Sequence, residues 1–242
     1  MKKYSSILII ILVTGLFANA QSKATKKADK LFSKFEFVDA AKAYEALIAK
    51  GEANAYVYGK LADAYYNVFN TVEAEKWYAK TLKSSEAPET IYKYAQMLKA
   101  NGKYEESNKQ MAKFASMRPA DHRAITFVNN PNYLPKILEK GKKFNVQDAG
   151  VNSAYSDFGG TVQGGKLYIT TARNEDGKSY GWNEEPFLDI YAANKNKDGS
   201  FQAPTAVNTL NTKYHEGVVT FSPDGNTLYF SRESYYDNIF ER

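Results

Sequence analysis

Cysteine is absent from the 242-residue chain, and histidine occurs only twice, at His122 and His215. Without cysteine there can be no disulfide, thiolate metal site, thiol nucleophile or acylated amino-terminal cysteine. Two histidines leave little material for a metal site. The sequences Gly-x-Ser-x-Gly, His-Glu-x-x-His and Gly-x-x-x-x-Gly-Lys are also missing. We therefore expect no catalytic, cofactor-binding or metal-binding residues, and a protein that is not an enzyme.

A concentrated basic stripe is lacking as well. The formal net charge is +5, but the chain is rich in lysine rather than arginine, and its lysines alternate with Glu and Asp. Because nucleic-acid binders concentrate positive charge, we expect no nucleic-acid partner. Aromatic residues reach 14%, with 19 tyrosines, more than a core needs. Amphipathic rings suit contact surfaces, so the composition favours binding over chemistry.

The amino terminus has the three parts of a secretory signal. Lys2 and Lys3 precede the apolar run Ile7–Val13, and the segment ends in Ala18-Asn19-Ala20. The run is shorter than the roughly 20 residues that span a bilayer. The sequence predicts a signal peptide over residues 1–20, cleaved after Ala20. No later segment is apolar enough to cross a membrane, so we expect an exported mature chain with no transmembrane segment.

The chain changes character near residue 120. Four of the 15 glycines lie in residues 1–120 and eleven in residues 121–242, while Ala, Lys, Glu, Leu and Tyr dominate the first half. This indicates a helical domain over residues 21–120 and a strand-rich domain over residues 146–242. Pro131 and Pro135 lie between these two domains, and Pro119 comes just before. Because proline interrupts regular elements, we predict a linker over residues 121–145.

The helical half repeats itself with spacings of 34 and then 33 residues. In the first helix of each unit a small residue is followed three residues later by a large apolar one: Ala28 and Leu31, Ala62 and Tyr65, Ala95 and Leu98. In the second helix the spacing is four residues: Ala40 and Tyr44, Ala74 and Tyr78, Ser107 and Met111. This resembles the tetratricopeptide repeat, a helix-turn-helix unit of 34 residues. Three units predict a solenoid with a concave binding face. Four aromatic residues off the strictest core positions are the candidate protein-binding residues: Tyr58, Tyr66, Trp77 and Tyr92.

The second half contains a different repeat. Residues 215–232 read as a hairpin with a Ser222-Pro223-Asp224-Gly225 turn, and a weaker copy ends in Leu167-Tyr168, 61 residues before Leu228-Tyr229. Two further apolar segments between the copies, residues 187–191 and 204–207, give four strands per unit. Four antiparallel strands are typical of a β-propeller blade.

The string from His215 to Ser231 resembles the WD-like propeller repeat of periplasmic proteins related to TolB. The resemblance implies that Asp224 is structural, and that His215 and Glu216 bond a neighbouring blade's backbone rather than act as a catalytic pair. Residues 237–242 match the third strand of the preceding blade, so about one and a half blades are present, and a propeller needs at least four. The predicted fold is α+β multidomain: an α-solenoid followed by an incomplete, truncated β-propeller.

Tetratricopeptide repeats followed by TolB-like blades resemble the OmpA-family proteins of Bacteroidetes, which include the PorE component of type IX secretion. The resemblance implies a non-catalytic periplasmic scaffold, associated with the outer membrane and linked to type IX secretion or gliding. It implies two partners: a PorP/SprF-type outer-membrane barrel and, through an absent carboxy-terminal domain, peptidoglycan. The chain departs from the family in that this domain is missing, and it lacks the cysteine through which PorE is lipid-anchored.

Two alternatives stay open. The chain could be a binding module for exported peptides or glycans, or the non-catalytic part of a propeller peptidase or lyase. Glu184, Glu185 and Asp189 cluster beside Trp182, a combination found in sugar-binding loops, although a solvated acidic loop is the commoner explanation.

Overall fold

The computed structural model describes residues 23–233, 235–236 and 239–240. The predicted signal peptide lies outside these residues. The chain divides into two compact units between Gly141 and Lys142. Within the described residues, no helix is long and apolar enough to cross a bilayer. The same residues hold no cluster of three or more carboxylate or imidazole side chains placed to bind a metal ion.

The first unit is built from helices that pack mainly on their neighbours in sequence, as in repeat proteins. Three helix pairs are followed by two shorter helices: α1 Lys26–Ser33, α2 Phe37–Ala49, α3 Ala55–Asn67, α4 Thr71–Thr81, α5 Pro88–Ala100, α6 Tyr104–Met117, α7 His122–Asn129 and α8 Leu134–Leu138.

The small residues of the repeat lie where the helices of a pair approach closely. All six are at most 1% exposed, which confirms the tetratricopeptide-like period: Ala28, Ala40, Ala62, Ala74, Ala95 and Ser107. Ser107, the polar member, donates its hydroxyl proton to the Ala95 carbonyl at 2.7 Å. A larger side chain at any of these positions would force the paired helices apart.

The turn inside each helix pair also repeats. Phe35, Phe69 and Gly102 have φ of 63°, 56° and 77°, and they stand 34 and then 33 residues apart. After each of them the next backbone N–H bonds a carbonyl five residues back, for example Asn70 to Tyr65 at 2.9 Å. This is the left-handed helix end that usually carries glycine.

The predicted linker is helical in its first part, which corrects the boundary at residue 120. α7 begins after Asp121, whose side chain accepts from the Arg123 N–H at 2.8 Å, and its Ala124 is buried against Phe114 of α6. Pro119 precedes this helix and Pro131 follows it, so neither interrupts its hydrogen bonds.

The second unit is antiparallel β-structure. Four strands form one sheet in sequence order, as the sequence predicted: β1 Asp157–Gln163, β2 Lys166–Thr171, β3 Asp189–Asn194 and β4 Thr205–Ala206. One face of this sheet carries a small core that includes Val151, Leu167 and Ile169.

The predicted hairpin is present, with β5 Glu216–Phe221 paired to β6 Leu228–Arg232. Asp224 is structural, as expected, because it accepts from Ser222 Oγ at 2.5 Å inside the turn. β5 packs on the first sheet, and Val219 accepts from Thr161 Oγ1 at 2.8 Å. Two short strands follow, β7 Tyr235–Tyr236 and β8 Ile239–Phe240, which pair with each other.

Candidate functional site

A tyrosine–aspartate hydrogen bond joins the two helices of the first and second pairs. Tyr44 donates to Asp29 at 2.6 Å, and Tyr78 donates to Asp63 at 2.8 Å, in each case 15 residues apart. Both tyrosine rings are at most 1% exposed. Burial, together with the aspartate it faces, raises the pKa of each of these phenols. For Asp29, burial raises the pKa, but hydrogen bonds, the one from Tyr44 foremost, outweigh it and lower the pKa overall.

The third helix pair has a different pair of residues at these positions. Gln96 replaces the aspartate and Met111 replaces the tyrosine, with the Gln96 Nε2 atom 3.8 Å from the Met111 sulfur. A second aromatic position changes with them. Tyr66, which stands edge-on to Tyr78 at 6.2 Å in the second pair, corresponds to Lys99 in the third.

A groove lies beside the Gln96–Met111 pair. Its volume is about 470 Å³, and it lies between α5, α6, α7 and the residues that follow α7. This falls within the ~300–1,000 Å³ range that is usual for ligand sites. Aromatic, amide and basic side chains line it: Tyr92, Gln96, Lys99, Asn108, Met111, His122, Arg123, Thr126, Phe127, Asn130 and Tyr133.

The lining of the groove includes two basic side chains, Lys99 and Arg123, and no carboxylate. Arg123 lies 4.2 Å above the Tyr92 ring and pairs with Glu89 and Asp121, each at 2.9 Å. Hydrogen bonds from Arg123 lower the pKa of the Asp121 carboxyl to about 2. Lys99 stands 5.2 Å above the Tyr133 ring. Arg123 is therefore balanced by carboxylates outside the groove, whereas Lys99 presents its charge beside an aromatic face.

The structure places the four predicted binding residues in three separate clusters. Tyr92 lines the groove, where its ring also packs on Phe114 at 5.3 Å. Tyr66 lies one repeat earlier, with the Lys93 ammonium 5.3 Å above its ring. Tyr58 stacks on Trp77 at 5.7 Å between α3 and α4.

Trp77 corrects the expectation that it lies off the core. Its side chain is 8% exposed, and its indole N–H donates to Glu73 at 3.0 Å. Because Tyr58 covers one face of its ring, Trp77 has little area to offer a partner. Its assignment as a binding residue stays a prediction, and only a small exposed area supports it.

Sequence reasoning missed Gln96, Lys99 and Met111. The signal was present, since these positions differ in character from Asp63, Tyr66 and Tyr78 one repeat earlier. The repeat pattern alone indicates Met111 as a packing residue, whereas a comparison of the repeats at each position shows the change of chemistry.

In the second unit, the His215 and Glu216 side chains both bond neighbouring protein groups, but only His215 bonds the backbone beside the preceding sheet, as expected. The His215 Nδ1 atom accepts from the Leu188 N–H at 3.0 Å, just before β3. Glu216 is fully buried, and its carboxylate accepts from Thr212 Oγ1 at 2.6 Å and from Arg232 Nε at 2.9 Å. Both of these bonds end on Oε1, which thus joins the segment of Thr212 to β6, and Oε2 accepts from the Thr212 N–H at 3.0 Å.

No family model matches the chain, and no curated protein matches it. Among solved structures, the chain is similar to the second tetratricopeptide domain of human RPAP3, solved in complex with an HSP70 peptide. The identity is 21%, the TM-score is 0.39, and the match covers 44% of this chain and 90% of that one. It is also similar to the C-terminal part of a tetratricopeptide repeat-containing protein from Cytophaga hutchinsonii, at 19% identity and a TM-score of 0.38, with 49% of this chain and 45% of that one covered. The tetratricopeptide-like character of the helix pairs rests on their own period and burial.

Proposed function

We propose that the helical unit is a protein-recognition module that holds an extended peptide segment in the groove between α5, α6 and α7. The observation that carries the proposal is the groove itself, whose lining includes Met111 and Gln96 at the positions of the Tyr–Asp pair of the first two repeats. The amides of Gln96, Asn108 and Asn130 suit an extended peptide, because a peptide backbone presents both donors and acceptors. Lys99 forms no ion pair among the residues that the structure describes, and its charge favours an acidic residue in that segment.

We further propose that the whole molecule is a non-catalytic periplasmic scaffold of the OmpA-family, PorE-like type, working at the outer membrane in type IX secretion or gliding. The proposed partner in the groove is a PorP/SprF-type outer-membrane barrel, and the proposed anchor is peptidoglycan, bound through a carboxy-terminal domain. Support comes from the resemblance of residues 215–231 to TolB-like blades and from the four-stranded sheet β1–β4. On this proposal the helical unit is a solenoid, and the strands are the first blades of a propeller.

The test compares the complete protein with a variant whose groove is filled. Gln96→Asp with Met111→Tyr copies the pair that the first two repeats carry, so the helices should be kept while the groove closes. Tyr92→Ala removes an aromatic anchor from the groove, and Tyr58→Ala removes a ring that lies outside it. Tagged proteins are incubated with outer membranes solubilised from source cells, and each captured barrel is then titrated against each variant.

We expect wild type and Tyr58→Ala to retain a PorP/SprF-type barrel with similar affinity. Loss of a buried aromatic anchor costs about 2 kcal/mol or more, so Tyr92→Ala should bind about thirtyfold more weakly. The filled variant should bind least, with an unchanged helical circular dichroism spectrum. Equal binding by the filled variant would refute the groove, and recovery of no outer-membrane protein would refute the proposed partner.

A further inference from the structure

The segment that joins the two units carries large apolar side chains in exposed positions. Ile137 and Leu138, at the end of α8, are 52% and 68% exposed, and Phe144 and Val146 are 79% and 88% exposed. A single exposed apolar residue is ordinary on a protein surface, whereas a run of them marks an interaction or membrane site. These four side chains lie close together in sequence and have little cover from the rest of the described chain.

Four exposed lysines alternate with these side chains: Lys136, Lys140, Lys142 and Lys143. Glu139 is the only acidic residue from 136 to 146, so four lysines and one glutamate give this stretch a net charge of +3. None of the four lysines forms an ion pair within the part of the chain that the structure describes. Asp148, just beyond the stretch, accepts from the Gly150 N–H at 2.7 Å. The positive charge is therefore available to an anionic partner.

Few bonds hold the backbone of this segment in place. Every residue from 135 to 150 is exposed. From 142 to 149, no backbone group bonds another backbone group among the described residues. No backbone hydrogen bond of that stretch has to break when its side chains turn toward a common surface. Charged and apolar side chains of the segment can therefore engage one partner at the same time.

The partner must supply negative charge and apolar contact at closely spaced points, because the two kinds of side chain are interleaved along the segment. A nucleic acid or an acidic peptide offers the charge but little apolar surface. A membrane that contains anionic phospholipid offers both along its whole surface, with phosphate groups outside and acyl chains beneath them. Clusters of lysine beside Phe and Leu side chains suit such a surface.

We propose that residues 136–146 bind the surface of a membrane that contains anionic phospholipid. The lysine ammonium groups lie at the lipid phosphates, and the four apolar side chains enter the boundary between headgroups and acyl chains. The extended backbone stays among the headgroups, where water satisfies its unpaired hydrogen-bonding groups. The proposal rests on neither the peptide groove nor the barrel partner.

The test measures flotation of the mature chain, from Gln21, with lipid vesicles. Residues 1–20 are left out because the apolar run Ile7–Val13 would itself bind lipid. Vesicles of phosphatidylcholine alone are compared with vesicles that contain equal parts of phosphatidylcholine and phosphatidylglycerol. We expect binding to the anionic vesicles to be stronger by about thirtyfold or more, and to weaken as salt is added, because salt screens the lysine charges.

Two variants separate charge from apolar contact. The charge variant changes the four lysines to Gln. Each lysine near an anionic surface contributes about fivefold to binding, so this variant should bind about a hundredfold more weakly or worse. The apolar variant keeps the charge and should lose about tenfold or more; it combines Ile137→Ser, Leu138→Ser, Phe144→Ser and Val146→Ser.

The matched control is Lys195→Gln with Lys197→Gln, which removes two exposed lysines after β3 and should bind like the wild type. All substituted side chains are exposed, so every variant should keep the wild-type circular dichroism spectrum. Equal binding to the two kinds of vesicle, or wild-type affinity in the charge variant or the apolar variant, would overturn the proposal. So would binding of poly-glutamate without binding of vesicles, which would assign the segment to an acidic protein. None of these outcomes bears on the peptide groove.

Discussion

At the residue scale, the phenol of Tyr78 joins α4 to α3. Its hydroxyl donates to Asp63, which also accepts from the Lys93 ammonium at 2.7 Å, so one carboxylate ties together three helices. The ring itself is 1% exposed, so water cannot take over the hydrogen bond when the hydroxyl is removed. The bond is therefore worth more than an exposed one.

We predict that Tyr78→Phe destabilises the helical unit by about 2 kcal/mol, since it removes a buried hydrogen bond to a charged acceptor. Urea unfolding followed by helical circular dichroism measures this as a lower midpoint at constant slope. Tyr65→Phe is the matched control, because the Tyr65 hydroxyl bonds Glu45 at an exposed position. Its cost should stay below about 1 kcal/mol. Equal costs for the two variants would contradict the argument.

The buried small residues of the repeat were predictable from the sequence, because a period of 34 and 33 residues shows at single positions. The groove was not predicted, because its lining comes from three helices and includes residues that lie 15 positions apart, such as Gln96 and Met111. The burial of Trp77 was not predicted, for a related reason. Its repeat position does not reveal that Tyr58, on the neighbouring helix, covers its ring.

At the scale of elements, the turn within each of the three helix pairs has a residue in the left-handed conformation at the same position. Only the third of these residues is glycine. Phe69 adopts φ of 56°, and its side chain is 72% exposed. Side-chain packing therefore offsets little of the backbone strain. Phe35 is in the same conformation at the first turn. The first two turns therefore hold strain that the third does not.

Phe69→Gly should stabilise the helical unit by about 1 kcal/mol, because a left-handed conformation costs about that much for a residue with a Cβ atom. Thermal unfolding should show a higher midpoint. Gly102→Ala is the reciprocal control, and it should destabilise by a similar amount, since no atom lies within 4 Å of the added Cβ and only the backbone conformation is at issue. A lower midpoint for Phe69→Gly would show that the Phe69 ring makes a compensating contact.

The order and pairing of β1 to β6 followed from strand alternation and from the Ser-Pro-Asp-Gly turn, which act locally. The helix α7 did not follow, because the prolines on either side of it suggested an irregular linker. Proline interrupts a helix only when it lies in the helix interior, and Pro119 and Pro131 both lie outside α7. What stabilises α7 is the burial of Ala124 against Phe114, a contact that composition does not reveal.

At the scale of the whole molecule, the boundary of the helical unit decides which fragment is stable. A fragment of residues 21–141 keeps α7 over the core of the third pair, whereas a fragment of residues 21–120 exposes Phe114 and Ala115. A terminal repeat needs such a cover. The longer fragment should be more stable by about 2 kcal/mol or more, the value of burying one or two apolar side chains. Denaturant unfolding of both fragments measures the difference, and equal stabilities would show that α7 is dispensable.

The exchange of Tyr and Asp for Met111 and Gln96 has a consequence for how such an array can be engineered. The six small residues that set the spacing of the helices are separate from the two positions that fill or open the space between them. The residues that set the helix spacing and the residues that shape the space between the helices thus occupy different positions of the same repeat. Tyr78→Met together with Asp63→Gln should widen the cavity of about 330 Å³ that Asp63 already lines in the second repeat, so that one chain could carry two adjacent sites and discriminate longer ligands from shorter ones through avidity.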